Sequence, residues 1–379
     1  MVTNREDRLC GFGLSLTLLV VALIFVVVTR FSSAAYVTAS QLQSAAEKGY
    51  VPQEIALAAA YFTGRGVQQD DKMAAYWYRK AAESGDPEAE NEIGYFYEAG
   101  IGVPADPARA FHWYQLAASS GLLMAKVNLG VLYVWGIGVP KNPELAAELF
   151  RDAATKGNGT AAAYLGDMYY FGNGVKQDKV AAEHWFSTGT KLHDPLATYN
   201  LGLLFSGQDG HPIDRPKAAN LLRQSAAAGY VTAMSALGLL LSNHPELAQS
   251  VQEAQPLLET AAASGSWKSS LVLGVLARDG KGIPQDREAA YYHFQIAVLQ
   301  GGEPADALLQ ADLNHLSQKL TPDRAAEITT NANSWIQHRR LALAFVYKDG
   351  DRSKQFPVCA RAAATRWEHA AQLLPLPPG

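Results

Sequence analysis

Residues 93–121 read IGYFYEAGIGVPADPARAFHWYQLAASSG, and residues 129–157 read LGVLYVWGIGVPKNPELAAELFRDAATKG. Laid over each other 36 positions apart, they keep a glycine, a tyrosine three residues later, a Gly-x-Gly-Val-Pro turn and a late alanine pair. The step continues in both directions. Gly94, Gly130, Gly166, Gly202, Gly238 and Gly274 are spaced by 36, and so are Ala74, Ala110, Ala146, Ala182, Ala218, Ala254 and Ala290. Glycine is 32 of 379 residues, so five further glycines on one step arise by chance on the order of a few times per million. Residues 40–301 are therefore a repeat array.

One unit, Asp86 to Gly121, reads as a helical hairpin. Asp86-Pro87 supplies an N-cap acceptor and a proline at the first helical position, where its missing N–H loses nothing. Ala89, Ile93, Gly94 and Tyr97 then form an apolar stripe at helical spacing, with Gly94 allowing a neighbouring backbone close. Gly100 to Pro104 breaks the helix, and Asp106-Pro107 starts a second one, whose apolar face is Ala110, Trp113, Tyr114, Ala117 and Ala118. Gly121 ends it. A hairpin this small cannot bury its own stripe, so successive units must stack into a solenoid.

The order of these features resembles the Sel-one-like repeat, a relative of the tetratricopeptide repeat. It is carried by the two stretches above together with AYFTGRGVQQDDKMAAYWYRKAAESGD (60–86) and YLGDMYYFGNGVKQDKVAAEHWF (164–186). The resemblance implies an all-α, right-handed solenoid of about seven 36-residue helix–turn–helix repeats. It also implies adaptor roles, in which the chain holds other proteins and is not an enzyme. Cysteine-rich members of the wider family are described as binding or hydrolysing β-lactams, but they carry a cysteine pair in each repeat. This array has none, which leaves an envelope enzyme, a small-molecule binder or a structural spacer as alternatives. Unit six departs from the pattern: its loop reads SNHPELAQS, and Leu257-Leu258 replace the aromatic pair. Unit five, with SGQDGHPID, is also altered.

Outside the array, Leu9 to Val28 contains no charge for twenty residues, enough as a helix for about 30 Å, one hydrocarbon core. We expect a transmembrane anchor at 9–28 behind a short cytoplasmic tail, 1–8. Arg5 and Arg8 before the segment, against Arg30 after it, place the solenoid outside the cytoplasm, which would be the periplasm of a bacterium. The alternative is a signal peptide cleaved near Ala35, beside small residues. Beyond Gly301, Pro304 to Lys319 and a helix begun by Thr321-Pro322-Asp323 read as a capping pair, 302–337. Residues 338–379 form a basic tail, with seven Lys or Arg against three acids.

Chemistry finds little support. Net charge is −4 with both signs interspersed, which speaks against nucleic acid. Cys10 and Cys359 stand at opposite ends and set no disulfide framework. The Gly-x-Gly turns follow helices and lack a third glycine, so no phosphate cradle is expected. Nine histidines form no metal-ligand spacing, and no catalytic triad order stands out. We therefore expect no catalytic residue, cofactor, metal or small-molecule substrate. The sharpest lead is a pair of variable positions following the repeated aromatic Tyr61, Tyr97, Tyr133, Tyr169 and Phe205, a column read as core. In units three and four both variable positions become large and apolar. Trp135, Tyr170 and Phe171 are thus candidate partner contacts, the alternative being packing between adjacent units.

Overall fold

Helix starts and stops follow from the residues that cap them. In the computed structural model, which describes residues 39–207, 212–247, 251–281 and 283–349, the Asp86 carboxylate accepts the Ala89 amide at 2.9 Å. Asp106 does the same for Arg109 at 3.0 Å. Gly100, Gly136 and Gly172 end their helices in the left-handed region that a side chain resists. The N–H of each following N-cap then returns to the aromatic column, Asp106 to the Tyr97 carbonyl at 2.8 Å and Asp178 to that of Tyr169 at 2.9 Å. Every hairpin turn in which this bond forms has its backbone closed before any packing is considered.

Among the described residues there are seventeen α-helices and no strand. A lone helix α1 (Ala39–Glu47) precedes seven A–B pairs. Units one to four comprise α2 (Val51–Thr63) with α3 (Asp71–Glu83), α4 (Pro87–Ala99) with α5 (Pro107–Ser119), α6 (Leu123–Trp135) with α7 (Pro143–Thr155), and α8 (Gly159–Phe171) with α9 (Lys179–Lys191). Units five to seven are α10 (Pro195–Phe205) with α11 (Arg215–Ala227), α12 (Val231–Asn243) with α13 (Val251–Ala263), and α14 (Trp267–Asp279) with α15 (Arg287–Gly301). Helices α16 (Glu303–Ser317) and α17 (Pro322–Asp349) close the array.

Within a pair, the landmark glycine admits a side chain of the B helix and not, as the sequence suggests, a neighbouring backbone. A Cβ on Gly130, Gly166 or Gly274 would stand 2.4–2.5 Å from the ring of Phe150, Phe186 or Phe294. In units five and six Leu222 and Leu258 take the ring's place. The alanine column, Ala74 to Ala290, is fully buried throughout. The repeated tyrosine is less uniform than a core column: Tyr97 and Phe205 are buried, whereas Tyr61, Tyr133 and Tyr169 are half-buried.

Units five and six carry the altered loops. α10 stops two residues early, at Phe205, with Ser206 in place of a left-handed glycine cap. α12 ends at Asn243, with His244 as its C-cap, and is followed by a 3₁₀ turn, Pro245–Leu247. At the C-terminus, α16 and α17 both pack on α15 more than on each other, and Arg324 of α17 pairs with Glu288 of α15 at 2.7 Å. α17 runs past residue 337 to Asp349, carrying helix through a stretch expected to belong to the tail. No described helix is long and apolar enough to cross a membrane, and the expected anchor at 9–28 lies outside the described residues.

Candidate partner-binding groove

The two helix layers are not equivalent. Consecutive A helices touch each other directly from α8 to α14, while consecutive B helices do not approach to the same degree. From α8 to α14 the A layer is therefore the inner side of the curve. Side-chain hydrogen bonds join its helices across units: Asn128 donates to Asn91 at 2.9 Å, Asn200 donates to Asp167 at 2.9 Å, and the Ser235 and Ser266 hydroxyls lie 2.8 Å apart.

The free face of an A helix can be read from unit one, where Pro52, Ala56, Ala59 and Thr63 are exposed or half-buried. Their spacing of four, three and four residues is a single helical stripe. Stepping by 36 gives Met124, Asn128, Val131 and Trp135 in unit three, and Thr160, Tyr164, Asp167 and Phe171 in unit four, where Asn128, Val131 and Tyr164 are buried and the stripe is open chiefly at its ends.

Of the three candidate residues, two lie on this stripe and one does not. Phe171 is 41% exposed at the end of α8. Trp135, in the same column at the end of α6, is half-buried against the core. Tyr170 is 3% exposed, so its assignment as a partner contact is corrected to core. One residue along a helix is a turn of about 100°, and that step carries Tyr170 from the stripe into the column of buried Phe62. Its ring meets Phe171 edge-on with centroids 5.0 Å apart. The sequence reading passes over Met124, 40% exposed at the other end of the unit-three stripe. Column position was the available signal, since Met124 stands eleven residues before Trp135.

The groove also borders a buried charge. Glu54 and Lys80 form an ion pair at 2.8 Å inside unit one, and Lys126 and Asp152 occupy the same two columns in unit three with signs reversed. In unit two these columns hold Glu90 and Leu116. Glu90 is 6% exposed, and its Oε2 has no hydrogen-bond partner. Burial, with Asp86 adding repulsion and His112 opposing, raises its carboxyl above the usual range. A carboxyl whose folded pKa is raised binds more protons in the native state. Its effect on stability is therefore most favourable below the unfolded pKa, and is lost as pH rises through the folded value. Glu90→Gln should accordingly gain about 1 kcal/mol or more over the parent at pH 7 and markedly less at pH 4, read by urea unfolding at both pH values. Equal gains would place the cause elsewhere.

Among the described residues no group of three or more His, Cys, Asp or Glu side chains could hold a metal ion. The arrangement is a stack of repeated helical hairpins, the architecture of an α-solenoid. The Sel1 repeat matches at residues 54–86, 87–122, 123–158, 159–194, 195–230 and 270–302, more than half of the chain. The chain belongs to the Sel1 repeat family. The missing match falls on unit six, where the loop glycines and the aromatic pair are lost. A Sel1 repeat protein from Oxalobacter formigenes is 31% identical over 56% of this chain and 84% of its own, with a TM-score of 0.51. A protective antigen of uropathogenic Escherichia coli displaying an SLR fold is 23% identical over 89% and 90%, with a TM-score of 0.35. A Sel1 repeat protein from Klebsiella pneumoniae is 24% identical over 54% and 99%, with a TM-score of 0.38. No curated protein matches the chain.

Proposed function

We propose that the protein is a non-enzymatic scaffold that holds another protein in the groove of its A helices, tethered to a membrane by residues 9–28 with the solenoid outside the cytoplasm. Sel1 repeat proteins generally act as protein-interaction scaffolds. The observation that carries the reading to a place on this chain is the ends of the stripe in units three and four, where Met124 and Phe171 are exposed and Trp135 is half-buried, with the buried Asn128, Val131 and Tyr164 between them. Aromatic anchors concentrate binding energy in interfaces. The charge-free length of residues 9–28 and the arginines before it support the tether and its orientation.

Phe171→Ala should weaken partner capture by about 2 kcal/mol, roughly thirtyfold, while leaving the melting temperature nearly unchanged. Tyr170→Ala, by contrast, should cost about 3–5 kcal/mol of stability, as large-to-small core changes do. Cross-linked pull-down from solubilised membranes beside thermal unfolding reads both. Capture that survives Phe171→Ala and Trp135→Ala together would remove the groove of units three and four as the contact. The tether is tested separately by alkaline washing of membranes, since apolar insertion resists it and peripheral charge contacts do not. A shortened chain released with its N-terminus near Ala35 would mark the segment as a cleaved signal.

A further inference from the structure

The A-helix stripe is recessed at one place. In the columns Tyr199, Ser235, Leu271 and Asn200, Ala236, Val272, unit six carries the small member of each. Between Tyr199 on α10 and Trp267 on α14, these two small side chains leave a cavity of about 260 Å³. Thr232, Ala236 and Leu239 of the unit-six stripe line it, as do Lys268 and Val272 of unit seven, so it opens on the groove side of the solenoid.

Its polar lining is of one kind. Its polar side chains are Thr232, Ser235, Ser264, Ser266 and Lys268, with Ser235 and Ser266 bonded to each other, and no carboxylate is among the lining residues. Lys268 Nζ lies 5.9 Å from the centre of the Trp267 ring, which places the cation beside an aromatic wall. The first turn of α12 lines the same space. Its N-cap, Tyr230, makes no side-chain cap, although Asp86, Asn158, Asp194 and Ser266 cap the A helices of four other units from the same column. The Ala233 N–H, the group a cap takes in those units, is turned to the Tyr230 carbonyl at 3.0 Å, which leaves the N–H groups of Val231 and Thr232 and the positive end of the helix for a ligand.

We propose that this cavity binds a small apolar or aromatic carboxylate. Lys268, the hydroxyls and the first turn of α12 take the anionic end, and Leu239, Val272 and the Trp267 ring take the body. The volume lies just below the range of about 300–1,000 Å³ typical of drug-sized ligands, which suits a fragment-sized acid. That acid is either a free molecule or the C-terminal residue of a polypeptide lying along the groove. The site revises the sequence expectation that no small molecule is bound, and it does not depend on the groove holding a protein.

Calorimetric titration of the full-length chain with N-acetyl-leucine and with the neutral N-acetyl-leucinamide tests the proposal. The acid should bind at least about tenfold more tightly, since a charge-assisted hydrogen bond contributes about 1.5–3 kcal/mol and 1.4 kcal/mol is tenfold. Lys268→Met should remove most of that preference while leaving the amide's affinity unchanged. Ala236→Val fills the recess with the residue that Val272 already places in this column, and should weaken both probes with no loss of melting temperature. A hexapeptide ending in leucine separates the sources: a gain of tenfold or more over the free acid assigns a chain terminus, and equal affinity assigns a free acid. Equal binding of acid and amide, an acid preference unmoved by Lys268→Met, or no binding by any probe would overturn the site.

Discussion

Gly174→Ala is expected to destabilise the solenoid by about 3 kcal/mol or more. A Cβ there would stand 2.3 Å from the carbonyl carbon and oxygen of Pro143 and 2.7 Å from the Glu144 nitrogen. These are backbone atoms at the start of the preceding unit's B helix, and they cannot swing aside. Gly138 meets the Pro107 carbonyl and Gly102 the Asp71 carbonyl in the same way. The second glycine of each of these turns therefore seats its loop on the unit before. Two costs combine at Gly174: about 1–2 kcal/mol for alanine in the left-handed region at φ +69°, and about 1–3 kcal/mol for overpacking. Gly157→Ala separates them, because Gly157 has φ +95° with nothing within 4 Å of its Cβ position. It should show the conformational cost alone. Urea unfolding of the two variants gives the difference, and equal losses would remove the seating contact as a source of stability.

Phe186→Ala should cost about 3–5 kcal/mol, since its ring is fully buried and fills the space that Gly166 leaves open. Gly166→Ala attacks the same contact from the other side by putting a Cβ 2.5 Å from that ring. The two positions should therefore couple. Phe186→Leu copies the Leu222 and Leu258 of units five and six, and combining it with Gly166→Ala should cost clearly less than the sum of the single changes. Strict additivity would show that the ring and the glycine act independently. Because each unit contacts mainly its neighbours, losses at unit four should broaden or split the unfolding transition as well as shift it.

Much of this architecture is legible in the chain. The period, the Asp and Asn caps, the terminating glycines and the buried alanine column all follow from local rules, and the structure has them at Asp86, Asp106, Gly100 and Ala110. Less legible is whatever depends on a second unit. Nothing local to Gly-Asn-Gly at 172–174 reveals that Gly174 rests on Pro143. Glu90 reads as an ordinary first-turn acid until the columns of units one and three show the partner that Leu116 replaces. Tyr170 reads as one surface with Phe171 in the sequence, whereas the helix turns the two side chains apart, one into the core and one to the groove. The recess at Ser235 and Ala236 appears only when small residues are set against Tyr199 and Trp267 on the flanking helices.

The 3₁₀ turn at Pro245–Leu247 has a mechanical consequence. Glu246, exposed, stands in the column of the seating glycines Gly102, Gly138 and Gly174 of units two to four. Unit six thus lacks the close backbone approach by which those glycines tie their loops to the unit before. Bending under a load shared between the ends of the solenoid is therefore expected to be easiest at unit six, and with it any opening or tightening of the groove.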